Sequence, residues 1–156
     1  MTVKIDLSDS NPDTCCSYAD DAVNMAAGSA SWDTFFGHYP VLLKDGKEVV
    51  RIDPNNYAKD IYGSNIDITS GNAGDVMVAF PRRGLNISKN GTIITVSFTS
   101  KPDNPDFKYY AHTHNGDLDI FYTGAYEGYV DEKGKLRSLS GKNSPYITFE
   151  DFRKAA

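Results

Sequence analysis

The sequence predicts an α+β fold dominated by antiparallel sheet, with short helices. Three observations carry that expectation. Asp45-Gly46 and Asn90-Gly91 each sit between β-type runs, and an Asx-Gly pair in that setting is a strong short hairpin signal. The third observation is the stretch 75–129. Its runs 76–80, 92–98, 107–112 and 120–126 concentrate the β-branched and aromatic residues that suit a pleated, half-buried surface.

Composition sets limits on function. The chain has 156 residues, the size of one domain or of a domain with a small appendage. Hydrophobic residues make up 40%, enough for a core. A net charge of −5 argues against non-specific nucleic-acid binding, which needs clustered Lys and Arg to neutralise phosphates. The longest uninterrupted apolar run, 76–80, is far too short to span a bilayer. The opening Met1-Thr2-Val3-Lys4-Ile5-Asp6 has no apolar signal core. With 10 Tyr and 8 Phe against 3 Met, the composition suits β-rich folds and surfaces that grip ligands. The two cysteines, Cys15 and Cys16, are neighbours. A disulfide between them is strained, so they read as reduced thiols that do not staple the fold.

Taken in order, residues 2–7 alternate with Val3, Ile5 and Leu7 on one face, which makes a short strand. It either joins this domain or pairs with a neighbouring subunit. After a polar turn containing Pro12, Asp13 or Thr14 caps an expected helix over 15–27, with Tyr18, Ala22, Met25 and Ala26 at helical spacing and Gly28 ending it. Ser31 caps a second short helix at Trp32–Phe36, stopped by Gly37, with Trp32 as a core anchor. Residues 40–44 and 48–52 flank Asp45-Gly46 as a hairpin. Asp53-Pro54 then opens a short helical turn near Tyr57. Residues 61–74, rich in Gly, Ser, Asn and Asp, form a long ordered loop. Pro81-Arg82-Arg83-Gly84 breaks the first core strand and reads as a solvated turn rather than an anion site. Asn90-Gly91 turns the chain into the run 92–98. Residues 131–135 form another turn, followed by a brief extended segment at 136–141. Thr148 and Asp151 form a capping-box-like start to a final helix, 149–156. Phe149 and Phe152 share a face of that helix and need burial, and the Trp32, Phe35 and Phe36 region is one place for it.

The chemically suggestive segment is 112–119. On a strand, His112 and His114 project to one face, with Asp117 or Asp119 within reach across a turn. Zinc accepts such ligands, but a lone His-x-His lacks a complete set, so a polar turn with a hydrogen-bonded histidine is the expectation. The Asp and Glu residues are scattered through loops, with no apolar pocket to split the pKa values of a carboxylate pair. The residues therefore point to no catalytic group, no metal and no cofactor, and single out no ligand-binding residue.

Several segments taken together carry a resemblance. They are residues 32–37 (WDTFFG), 40–47 (PVLLKDGK), 67–84 (DITSGNAGDVMVAFPRRG), 108–113 (KYYAHT), 124–129 (GAYEGY) and 136–141 (LRSLSG). In this order they resemble a family of phage and prophage virion-appendage proteins, of tail, tail-fibre or adhesin type, from phages of Gram-positive bacteria. The resemblance covers about residues 31–153. It implies a C-type-lectin-like adhesive domain over 31–156 that is incomplete at its C-terminus, the natural chain continuing past Ala156. Ahead of that region, the short strand, the break at Pro12 and the alanine-rich helix expected over residues 1–30 read as an assembly or attachment segment, since such a strand offers unpaired backbone groups to a partner edge, and its removal is expected to leave the rest folded. The protein would be made in the bacterial cytoplasm and end in the virion. It would assemble as an oligomer with other virion proteins and contact a host-surface glycan or protein, without nucleic acid or membrane partners. A carbohydrate-binding module outside phages is the alternative, with Tyr109, Tyr110, Tyr126 and Tyr129 stacking on sugar rings. A metal-dependent hydrolase around His112 and His114 is the third reading.

Overall fold

The computed structural model describes residues 1–26, 29–113, 116–143 and 149–155. Its elements in chain order are β1 (Thr2–Asp6), β2 (Cys16–Ala19), α1 (Ala30–Phe36), β3 (Tyr39–Lys44), β4 (Lys47–Asp53), β5 (Asn56–Asp60), β6 (Asp75–Pro81), β7 (Gly84–Asn90), β8 (Ile93–Thr99), β9 (Ile120–Gly124), β10 (Gly128–Val130), β11 (Leu136–Ser138) and α2 (Phe149–Ala155). Short 3-10 turns lie at Asp20–Ala22 and Tyr110–His112. Every strand pairing with a resolved register is antiparallel, and the two α-helices are short. The expected sheet-dominated α+β class is what the chain adopts.

The chain divides into two compact units, one built from residues 1–37 and 80–121 and the other from 38–79 and 122–156. These divisions do not follow the line at residue 30 expected from the sequence, which concerned role rather than compactness. The first unit holds a four-stranded sheet in the order β2-β1-β8-β7. β1 runs between β2 and β8, with Ile5 opposite Cys16 on one side and Ile94 on the other. It is therefore an interior strand with both backbone edges paired. Beside the sheet, Trp32 packs at 5.0 Å on Phe36 and meets Tyr18 edge-on, while Phe36 meets Phe98 edge-on at 5.9 Å. Trp32 is half-buried in this cluster, which is the anchoring role expected of it.

The second unit carries a five-stranded sheet, β5-β4-β3-β6-β9, and the small hairpin β10-β11. Leu42, Ile52 and Val76 are buried on one face of the larger sheet, under Tyr57, Ile66, Ile68 and Tyr126. Full burial of each such aliphatic side chain contributes about 1.5–3 kcal/mol. The region 61–74 is a loop, as expected, and Ile66 and Ile68 tie it to this core. Arg137 holds the base of the unit. Its Nε donates to both carboxylate oxygens of Asp75 at 2.9 and 3.1 Å, its Nη1 to Asp131 at 3.3 Å and its Nη2 to the Gly71 carbonyl at 2.9 Å.

Several local expectations are corrected. The helix over 15–27 is replaced by β2 and the 3-10 turn, because Asp9 and Asn11 accept backbone N–H bonds that set tight turns and deliver Cys16 to pair with Ile5. Asp53-Pro54 does not open a helical turn. The Asp53 carboxylate accepts the Asn55 N–H at 2.9 Å and closes a tight turn into β5. The run 107–112 is not a strand beyond one bridge between Leu85 and Lys108, and it ends in the 3-10 turn. The second hairpin turns on Gly91-Thr92, one residue later than expected, since Asn90 still pairs with Ile93. The hairpin at Asp45-Gly46 forms as expected, with φ of 51° and 74° at the two turn residues. The α1 helix begins one residue before Ser31, at Ala30, with Ser29 as its N-cap. His114, Thr148 and the side chains of Phe149, Asp151 and Phe152 lie outside the described residues, so the His-x-His pair, the capping box and the burial of the two phenylalanines do as well.

Candidate functional site

The cluster of polar and aromatic side chains best placed to meet a ligand lies in the second unit, on the sheet face opposite Leu42 and Ile52. Strand alternation puts Tyr39, Val41 and Leu43 on that face of β3, and Val41 pairs with Arg51, which therefore shares it. Regular alternation in β4 would send Glu48 to the other side of the sheet. A β-bulge at Val49 prevents this, because Leu42 pairs with Val50 while Leu43 pairs with Glu48. The bulge thus brings Glu48 and Arg51 to one face, and Tyr122 joins them from β9.

The contacts are specific. Glu48 Oε1 accepts the Tyr39 hydroxyl at 2.7 Å and the Tyr122 hydroxyl at 2.9 Å. The Arg51 guanidinium lies over the Tyr39 ring, 3.6 Å from its centroid. Glu48 and Arg51 are exposed and the two tyrosines half-buried. Burial and the Glu48 carboxylate push the Tyr122 phenol up to about 12. Burial raises Tyr39 as well, and Glu48 adds to the rise while Arg51 opposes it. Both phenols therefore stay protonated near neutrality and act as donors, not as general bases. The cluster offers a carboxylate acceptor held by two phenol hydroxyls and a guanidinium donor lying over one of the two rings. Leu43 and Met77 of that face also help line an open cleft of about 430 Å³, whose other walls include Tyr126, Leu136, Arg137 and Ser138.

The residues singled out from sequence sit elsewhere. His112 is 2% exposed, and its ring meets Phe121 edge-on at 5.0 Å. Its Nδ1 is buried without a hydrogen-bond partner. Burial, then the nearby Arg82, lowers its pKa, with a smaller contribution from Arg83, while a bond to the Leu118 backbone and Asp119 oppose the shift. Asp117 is engaged by Arg82 at 3.3 Å. No set of three His, Cys, Asp or Glu side chains is arranged to hold a metal among the described residues.

Arg82 and Arg83 are not a solvated turn. Arg82 also donates to the Pro102 carbonyl at 3.0 Å and lies over the Tyr109 ring, and Arg83 donates to the Phe35 carbonyl at 2.8 Å. The four tyrosines expected to stack on sugars are mostly not exposed for it. Tyr109 is 9% exposed, with its hydroxyl donating to the Lys101 carbonyl at 2.6 Å. Tyr126 packs edge-on against Tyr57, Tyr129 is half-buried near Lys142, and only Tyr110 is well exposed.

No family model, curated protein or solved structure matches this chain.

The Tyr39–Glu48–Arg51–Tyr122 cluster was missed from sequence because it has no local signature. Glu48 and Tyr122 stand 74 residues apart, and only the strand order and the bulge bring them together. Among the described residues, no helix is long and apolar enough to cross a membrane.

Proposed function

We propose that this chain is a non-catalytic attachment protein of a phage virion appendage, acting in particle assembly and in contact with a host-surface glycan. The observation that carries the reading is the surface cluster in which Glu48 is gripped by two phenols beside the Arg51 guanidinium. Neighbouring acceptor and donor groups with aromatic rings suit a ligand dense in hydroxyls, since each hydroxyl both gives and takes a hydrogen bond. The ordered segments that resemble virion-appendage proteins supply the virion context and the C-type-lectin-like domain. The mixture of antiparallel sheets, short helices and a long ordered loop accords with that domain type. A carbohydrate-binding module outside phages is favoured by the same cluster and differs only in where the protein resides.

Two measurements test the reading. Purified protein is assayed for binding to isolated cell-wall glycans of Gram-positive bacteria, alongside Glu48→Gln and the double variant Tyr39→Phe, Tyr122→Phe. Wild type binds, and each variant weakens binding about tenfold or more, the scale of a lost hydrogen bond to a charged group. Antibody labelling of induced phage particles then places the chain on the virion. Glycan binding without particle labelling supports the non-phage module. Absence of both defeats the proposal.

A further inference from the structure

The adjacent cysteines are brought together by the fold. Cys15 closes the polar turn, with its N–H donating to the Asn11 carbonyl at 2.9 Å and its carbonyl accepting the Asp6 N–H at 2.8 Å. Cys16 begins β2 opposite Ile5. The chain bends between them, and the two Sγ atoms lie 3.8 Å apart. Both thiols are free, Cys16 is exposed and Cys15 half-buried. Asp9, whose carboxylate accepts the Thr14 hydroxyl, adds negative charge close to Cys15.

That separation has a chemical meaning. Two thiolates bound at about 2.3 Å to one tetrahedral zinc-type ion stand about 3.8 Å apart. The two sulfurs, now joined by an S–H···S hydrogen bond, therefore stand at the separation of a bidentate ligand. It supplies two of the four positions, and no third ligand is arranged with it among the described residues. β2 is an edge strand of its sheet, and Cys16, Ser17 and Tyr18 are exposed along it. A second molecule can approach there, and the same two thiolates from another copy complete a four-sulfur tetrahedron.

We propose that Cys15 and Cys16 form a half-site for a thiophilic divalent cation, completed by the same pair from a second copy of this chain. Each chain gives up both thiol protons to solvent as the metal–sulfur bonds form, and no electrons are transferred. The test titrates reduced, metal-free full-length protein with cadmium. Thiolate–metal ultraviolet absorption reports binding, and light scattering reports mass. The expected result is saturation at one ion per two chains with doubling of the mass, both reversed by a chelator. Cys15→Ser and Cys16→Ser should each abolish the absorption and the dimer while circular dichroism stays unchanged. Absence of the absorption, saturation without a change in mass, or dimerisation that survives either serine variant would overturn the proposal.

Discussion

Glu48 shows how one side chain sets the chemistry of its neighbours. Its carboxylate accepts from two phenols, so each phenol loses a favourable contact when it ionises. A phenol held protonated in the folded state adds stability that is complete below the ordinary tyrosine range, about pH 10. That contribution disappears as the pH climbs through about 12 for Tyr122. Ultraviolet titration should therefore show a late phenolate step near 12. The step should be absent in Tyr122→Phe and move to lower pH in Glu48→Gln. Titration of every tyrosine together in the ordinary range would contradict this account of the cluster. At this scale the sequence was least informative. His112 reads from sequence as a hydrogen-bonded histidine in a polar turn, yet its ring is buried against Phe121, while Glu48 sits in an unremarkable run and acquires its partners from β3 and β9.

The elements divide by what holds them. The hairpin at Asp45-Gly46 was legible because its turn needs positive φ at two consecutive residues, and few residue pairs tolerate that. β2 was not legible. Tyr18, Ala22, Met25 and Ala26 keep helical spacing, but β1 and the Asx turns around Asn11 override that local pattern. The run 107–112 has β-type residues, yet the Tyr109 hydroxyl bound to the Lys101 carbonyl and the Arg82 guanidinium over the ring hold it in a compact turn. Two glycines should separate these causes experimentally. A Cβ on Gly46 would meet nothing within 4 Å, so Gly46→Ala bears only the cost of its φ of 74°, about 1 kcal/mol. A Cβ on Gly84 would lie 2.8 Å from Phe107 Cβ and 2.9 Å from both Thr99 Cγ2 and Tyr109 Cε1. Gly84→Ala should therefore be the more damaging of the two, costing roughly 2–3 kcal/mol as overpacking. Urea midpoints of both variants measure the order, and the reverse order would show that turn geometry matters more than the packing around β7.

Across the whole molecule, the two compact units are both discontinuous in sequence, which composition and turn signals gave no means of reading. The placement of β1 changes the expectation for residues 1–30. Their removal would take away an interior strand and its neighbour β2, and leave β8 with an unpaired edge. The deletion product should therefore lose cooperative urea unfolding of the first unit, rather than persist as a folded domain that merely fails to assemble. A truncated chain with an unchanged, sharp transition would return residues 1–30 to the role expected from sequence. The same pairing has a consequence for synthesis. Thr2 and Ser97, joined across β1 and β8, are separated by 95 residues of chain. At about 5–20 residues per second, roughly 5–20 s pass between their appearances from the ribosome. Through that interval Val3 and Ile5 have no β8 to pair with, and the sheet of the first unit can form only after β3, β4, β5 and β6 have already been translated.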